Sequence, residues 1–210
     1  LVSSLLFLSV LSLALGNDRG EVLGYSFISF LAPGLIAMSI LTQSFSHSVS
    51  ALMIGKNQGN IVDMLYAPLS SLEVSLAIIF AAVTRSLLIA SISIFVFSMI
   101  IEMYIYSIIY ILIFSFLGSF ILGALGFIAG LWAEKFDHTA TVTNFIITPL
   151  SFLSGVFYSI DRLPVFFQVV SSFNPFFYVI DGFRYGFLGT SDGSISFGVM
   201  YLTVLAFIMG

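Results

Sequence analysis

The sequence contains no cysteine among its 210 residues, and charged side chains make up only 8% of it. Without thiols there is no disulfide framework, thiolate nucleophile or cysteine-based metal site, and cysteine usage says nothing about redox compartment. The six Lys and Arg are scattered singly in a chain of net charge −4, so there is no basic surface and no nucleic-acid partner is expected. The two histidines, His47 and His138, lie far apart without metal-ligand spacing, and read as polar boundary residues at helix ends. No GxxxxGK[ST] loop is present, so energy from a nucleotide would have to come through another polypeptide. No paired acid and base stands on facing helices, which argues against an intramembrane enzyme.

What the chain has is apolarity. Apolar residues make up 60% of it, with 24 Phe and a mean hydropathy of +1.16, whereas about a quarter of residues are charged in a soluble domain. It reads as an all-α polytopic membrane protein. At about 20 apolar residues per crossing, the interruptions divide it into six transmembrane helices near 1–15, 28–50, 73–100, 104–132, 140–157 and 195–210. The chain begins at Leu1 and stops at Gly210 inside apolar runs, so the first and last spans are expected to be truncated. A signal-peptide core over 1–16 is the alternative, but it lacks a basic n-region.

The longest polar island, IGKNQGNIVDMLYAPLSSLE (Ile54 to Glu73), separates the second and third spans. Asn60 can cap a short helix through Met64 and Leu65 that ends near Ala67-Pro68, because proline pushes the preceding residue out of the helical region. Ser70 and Glu73 have capping-box spacing and mark a fresh start. Ile61, Met64, Leu65 and Tyr66 give the short helix an apolar face, which a merely solvated loop does not need. Further on, the charge of Glu102 places the turn between spans three and four near Ile101 to Tyr104, with Tyr104, Tyr106 and Tyr110 as interfacial anchors.

Ser119, Gly123, Gly126 and Gly130 share one helical face and contain a GxxxG, which lets a second helix approach closely, ordinarily within one subunit. After Tyr158 the apolar text is broken by Asp161, Arg162, Pro164, Asn174-Pro175, Asp181 and Arg184. Irregular backbone at membrane depth is tolerated only where protein or a wet cavity covers it, so two short helices, about 164–172 and 175–188, are expected as a hairpin in the outer interface. Asp181 and Arg184 are spaced to pair on one helix face. Arg85 is a cation within a span, a functional candidate or a side chain snorkelling to the headgroups.

The runs FLAPGLIAMSIL, DMLYAPLSSLE and PLSFLSGVFYSIDRLPVFFQVVSSFNPFFYVIDGFRYGFLG resemble the membrane permease subunits of type-2 ABC exporters, in order and over nearly the whole chain. The resemblance implies a six-helix permease half that dimerises, as a homodimer here, and works with two separate ATPase subunits. ATP would be bound by those partners, with no cofactor in this chain. It further implies a cytoplasmic coupling segment over 54–70, carried by Lys56, Asn57, Gly59, Ile61, Asp63, Met64, Leu65 and Pro68. A re-entrant hairpin over 160–188 would include Pro164, Asn174, Pro175, Asp181 and Arg184. The implied cargo is hydrophobic, lipid-linked or glycan, and the implied location a bacterial inner membrane. In this orientation Lys56 and Lys135 lie inside while Arg19, Arg162 and Arg184 lie outside, so the orientation rests on the resemblance and not on positive charge. An ion-coupled carrier or channel is the rival reading, and it would want titratable residues at the midplane.

Overall fold

The computed structural model describes residues 2–15, 22, 24–101 and 103–210. The expected loop at 16–21 and the expected turn residue Glu102 lie outside this set, as do the side chains of Asp63, Met64, Leu65 and Arg162. The described chain is helical almost throughout. Helix α1 spans Val2–Leu15 and α2 spans Phe27–Gln58. The short α3 covers Ile61–Tyr66, and the long α4 and α5 cover Ser71–Ser98 and Ile108–Trp132.

Among the described residues three helices, α2, α4 and α5, are long and apolar enough to cross a membrane. Helix α2 is the hub, packing most extensively on α5 and then on α4, α9 (Pro175–Leu188) and α1. It starts where the Ser26 hydroxyl accepts the Ser29 N–H, and it stops at Gly59, whose φ of 78° closes the last turn with a bond from its N–H to the Lys56 carbonyl. The helix therefore runs eight residues past the expected end at Ser50. Nothing from Ala51 to Gln58 breaks a helix, and polarity marks where water begins, not where the backbone turns.

The small-residue face of α5 meets α2. The Ser44 hydroxyl donates to the Ser119 carbonyl at 2.5 Å. A Cβ on Gly126 would run into the backbone of Phe45, and one on Gly130 would come within 3.2 Å of the Leu52 Cβ. This face is thus spent on packing inside the subunit. The other side of α5 receives α9, where Gly182 leaves room for the Phe114 ring.

After Ala133 to Lys135, one helical run extends from Phe136 to Phe152. It comprises α6 (Phe136–Val142), a π-helical turn (Thr143–Ile147) and α7 (Thr148–Phe152). Pro149 has no N–H to give to an earlier carbonyl, and the wide turn before it absorbs the mismatch. There the Thr148 backbone N–H bonds the Thr143 carbonyl, and the Thr148 hydroxyl reaches the same oxygen at 2.9 Å. The run is about 25 Å long and stops five residues short of the expected Phe157, in a turn that places Gly155 at φ 72°.

The irregular stretch folds as a 3-10 turn (Ile160–Arg162), α8 (Val165–Ser172) and α9. Asn174 caps α9 through the Phe176 N–H at 3.0 Å, while its amide donates to the Leu150 carbonyl at 2.9 Å. The two helices differ sharply in surroundings. Phe166 and Phe173 on and beside α8 are 72% and 75% exposed, whereas nearly all of α9 is buried between α2, α5 and α10 (Ile195–Met209). The two short helices expected at 164–172 and 175–188 are thus one exposed apolar helix and one core helix.

Candidate functional site

Two polar centres stand at opposite ends of the α2–α5 pair. The first is the island. Ser70 and Glu73 form the full capping box: the Ser70 hydroxyl accepts the Glu73 N–H, and Glu73 accepts the Ser70 N–H at 2.7 Å. Asn60 precedes α3, with its amide donating to Gln58 at 3.2 Å. Between these sit α3 and the break at Pro68, where the Leu69 N–H bonds the Ala67 carbonyl at 2.7 Å.

Of the expected face, Tyr66 is exposed and Ile61 is not, while the Met64 and Leu65 side chains lie outside the described residues. Tyr66 is 86% exposed, and Val62, Leu69 and Leu72 are about half exposed, while Ile61 turns inward. Ile61 lines an apolar cavity of about 530 Å³ with Leu52, Leu72, Phe127 and Leu131. Asn57, Gly59 and Pro68 are exposed. Val62 stands one turn before Tyr66 on α3 and shares its outer side, a position helical spacing alone marks; Leu69, beyond the Pro68 break, is half exposed and also lines the cavity with Ile61.

Lys56 lies within the last turn of α2 and points across to α5. Its ammonium donates to the carbonyls of Gly130, Leu131 and Ala133 at 2.9, 2.8 and 2.8 Å. Gly130 and Leu131 belong to the final turn of α5, whose carbonyls have no partner further along the helix, and a cation also suits the negative end of the helix dipole.

The second centre surrounds Arg184 on α9. The expected Asp181–Arg184 pair is not the bond that forms. Arg184 donates to the Gly155 carbonyl at 2.6 Å, stands 3.9 Å from the carboxylate of Asp192, and covers the Phe30 ring at 3.8 Å. Asp192 also accepts from the Ser159 hydroxyl at 2.7 Å and the Ile160 N–H at 3.2 Å. Asp181 instead receives the backbone N–H groups of Asp192 and Gly193 at 2.9 and 3.0 Å. A helix directs side chains three apart along one face, but the two loops bring better-placed partners to each. Asp192 went unnoticed in the sequence because a lone Asp in a Ser/Gly-rich turn carries no mark of its partner.

Between the centres, a groove of about 240 Å³ separates α2 from the 136–152 run, lined by Ser46, Ser50, Thr139, Thr143 and Asn144. Arg85 is exposed near the middle of α4. His138 lies against the Trp132 ring at 5.5 Å, and His47 is half-buried on α2. Among the described residues no three His, Asp or Glu converge as a metal site would need.

The family model of the ABC-2 type transporter matches residues 1–188. The inner membrane transport permease YadH of Escherichia coli K12 is 32% identical, over 98% of this chain and 81% of that protein. Nodulation protein J of Rhizobium leguminosarum bv. viciae is 28% identical, over 97% of this chain and 79% of that protein. Nodulation protein J of Rhizobium meliloti strain 1021 is 27% identical, over 90% and 73% respectively.

Proposed function

The chain belongs to the ABC-2 type transporter family, and from that premise we propose that it is the permease subunit of an ATP-driven exporter. Two copies work with two separate ATPase subunits that bind the ATP. Six crossings are made by α1, α2, α4, α5, the 136–152 run and α10, with α8 and α9 re-entering from the outer side. The membrane is the bacterial inner membrane, as in the name of the Escherichia coli relative.

The observation that carries this reading is the exposed apolar strip of Val62 and Tyr66 on a short helix between Gly59 and Pro68, continued by Leu69 past the break and before the Ser70 box. A solvated connection gains nothing from exposing these side chains; a partner with a complementary cleft does. The hydroxyl and amide lining of the α2 groove supports a cargo with polar groups, such as a glycan or lipid-linked glycan, over a purely hydrophobic one.

The test is co-purification of the full-length chain with an ABC ATPase subunit from the same organism. The double variant V62D/Y66D should lose the ATPase while still inserting into membranes with an unchanged unfolding midpoint. Retained binding would sink the assignment of the strip. Transport that persists in ATP-depleted vesicles under an ion gradient would favour the ion-coupled carrier instead.

A further inference from the structure

We propose that Lys56 is a positioning residue that fastens the root of the coupling segment to the end of α5, so that a push on the segment is delivered into the α2–α5 pair. The proposal rests on the coupling role given above to residues 54–70.

The geometry has three parts. Lys56 stands three residues before Gly59, the glycine that ends α2, so it is the last anchored side chain before the chain leaves for α3. Its ammonium bonds three carbonyls of residues 130, 131 and 133 at 2.8 to 2.9 Å, which uses all three of its protons. One turn earlier, Leu52 packs directly on Gly130, and further along Phe45 packs on Gly126, so the junction prolongs a line of close helix-to-helix approach. By contrast, Ala133 to Lys135 is the non-helical joint to the 136–152 run, which makes few contacts with the other helices. Lys56 therefore grips the last turn of α5 through Gly130 and Leu131 and the first residue of the joint through Ala133, and force arriving at α3 moves α2 and α5 together against the 136–152 run, across the groove.

A neutral isostere removes the donors without removing the stem. An arginine keeps donors and charge, and should largely restore the grip. The absence of cysteine makes a second, chemically independent restoration feasible: L52C/G130C places two thiols where the native Cβ positions nearly touch.

The experiment uses the full-length chain with its ATPase in nanodiscs. A140C in the groove wall is labelled by a membrane-impermeant maleimide, with and without trapping by ATP and vanadate. The Lys56 protein should change its labelling rate on trapping. Compared at equal vanadate trapping, K56M should show a labelling response smaller by about 2- to 30-fold, the range by which single residues modulate coupling between sites. K56R, and K56M with the oxidised L52C/G130C bridge, should recover it; reduction of the bridge should abolish the second recovery. An undiminished response in K56M overturns the proposal, as does a bridge that blocks the response in the Lys56 background. If no ATPase binds, the functional reading above fails, and spin labels at Gln58 and Glu134 in the chain alone decide the fastening. Their distance distribution should broaden in K56M and not in K56R, and equal widths overturn it.

Discussion

The glycines of α5 are not equivalent, although the sequence writes them as one stripe. A methyl group on Gly126 meets the backbone of Phe45, which cannot swing away, whereas one on Gly123 meets the Ser44 hydroxyl at 3.2 Å, which can rotate. G126A should therefore destabilise the folded state by about 1–3 kcal/mol, and G123A by clearly less, as read from denaturant unfolding in detergent. Arg184 makes a sharper case. Arg184 and Asp192 have side chains each 1% exposed, so R184M strands a buried carboxylate at a cost on the order of 3–5 kcal/mol. The double variant R184M/D192N should be less damaged than R184M alone, a non-additivity that a purely packing role for Arg184 would not produce. R184K should rescue little, since an ammonium cannot present the planar fork that reaches Gly155 and Asp192 while covering Phe30.

Among the elements, the local ones were legible in the sequence and the distant ones were not. The break at Pro68 and the box at Ser70 and Glu73 depend on neighbours within three residues, and both stand where spacing put them. The helix of α2 outlasts the span expected at 28–50, because a length of about 20 residues measures the membrane crossing whereas only Gly59 stops the backbone. The burial of α9 is hidden for another reason: aromatic residues suit lipid and protein equally, and α8 and α9 both carry them yet are opposite in exposure. The capping box gives this scale its prediction. S70A removes the side-chain acceptor at the N-cap and should cost about 0.5–2 kcal/mol. Amide exchange should rise at Leu72, Glu73 and Val74 and stay unchanged in α5, where no bond depends on Ser70.

For the whole molecule, the Lys56 bonds place the end of α2 and the end of α5 at one pole, with Glu134 beside them. At the other pole the connection into α5 docks on the end of α9, through bonds from the Tyr106 and Ser107 N–H groups to the Gly186 carbonyl at 3.0 and 2.8 Å. The six-crossing reading then predicts sidedness. Single cysteines at Asn57 and Glu134 should react with an impermeant reagent only from the cytoplasmic side, and those at Met103 and Val165 only from the outer side. A shared side for Asn57 and Val165 would end the six-crossing topology. Charge counting does not assign these ends, because the two lysines at one pole, Lys56 and Lys135, are set against Arg19, Arg162 and Arg184 on the segments expected at the other.

The π turn at Thr143–Ile147 also resets the phase of the 136–152 run. One extra residue in a turn rotates everything after it by about 100° relative to an unbroken α-helix. Thr139 and Thr143 face the groove beside α2, but a helical wheel drawn onward from them assigns Leu150 to Phe152 to the wrong sides. Any comparison that numbers this helix by regular periodicity must delete one position before Thr148 to keep its faces true.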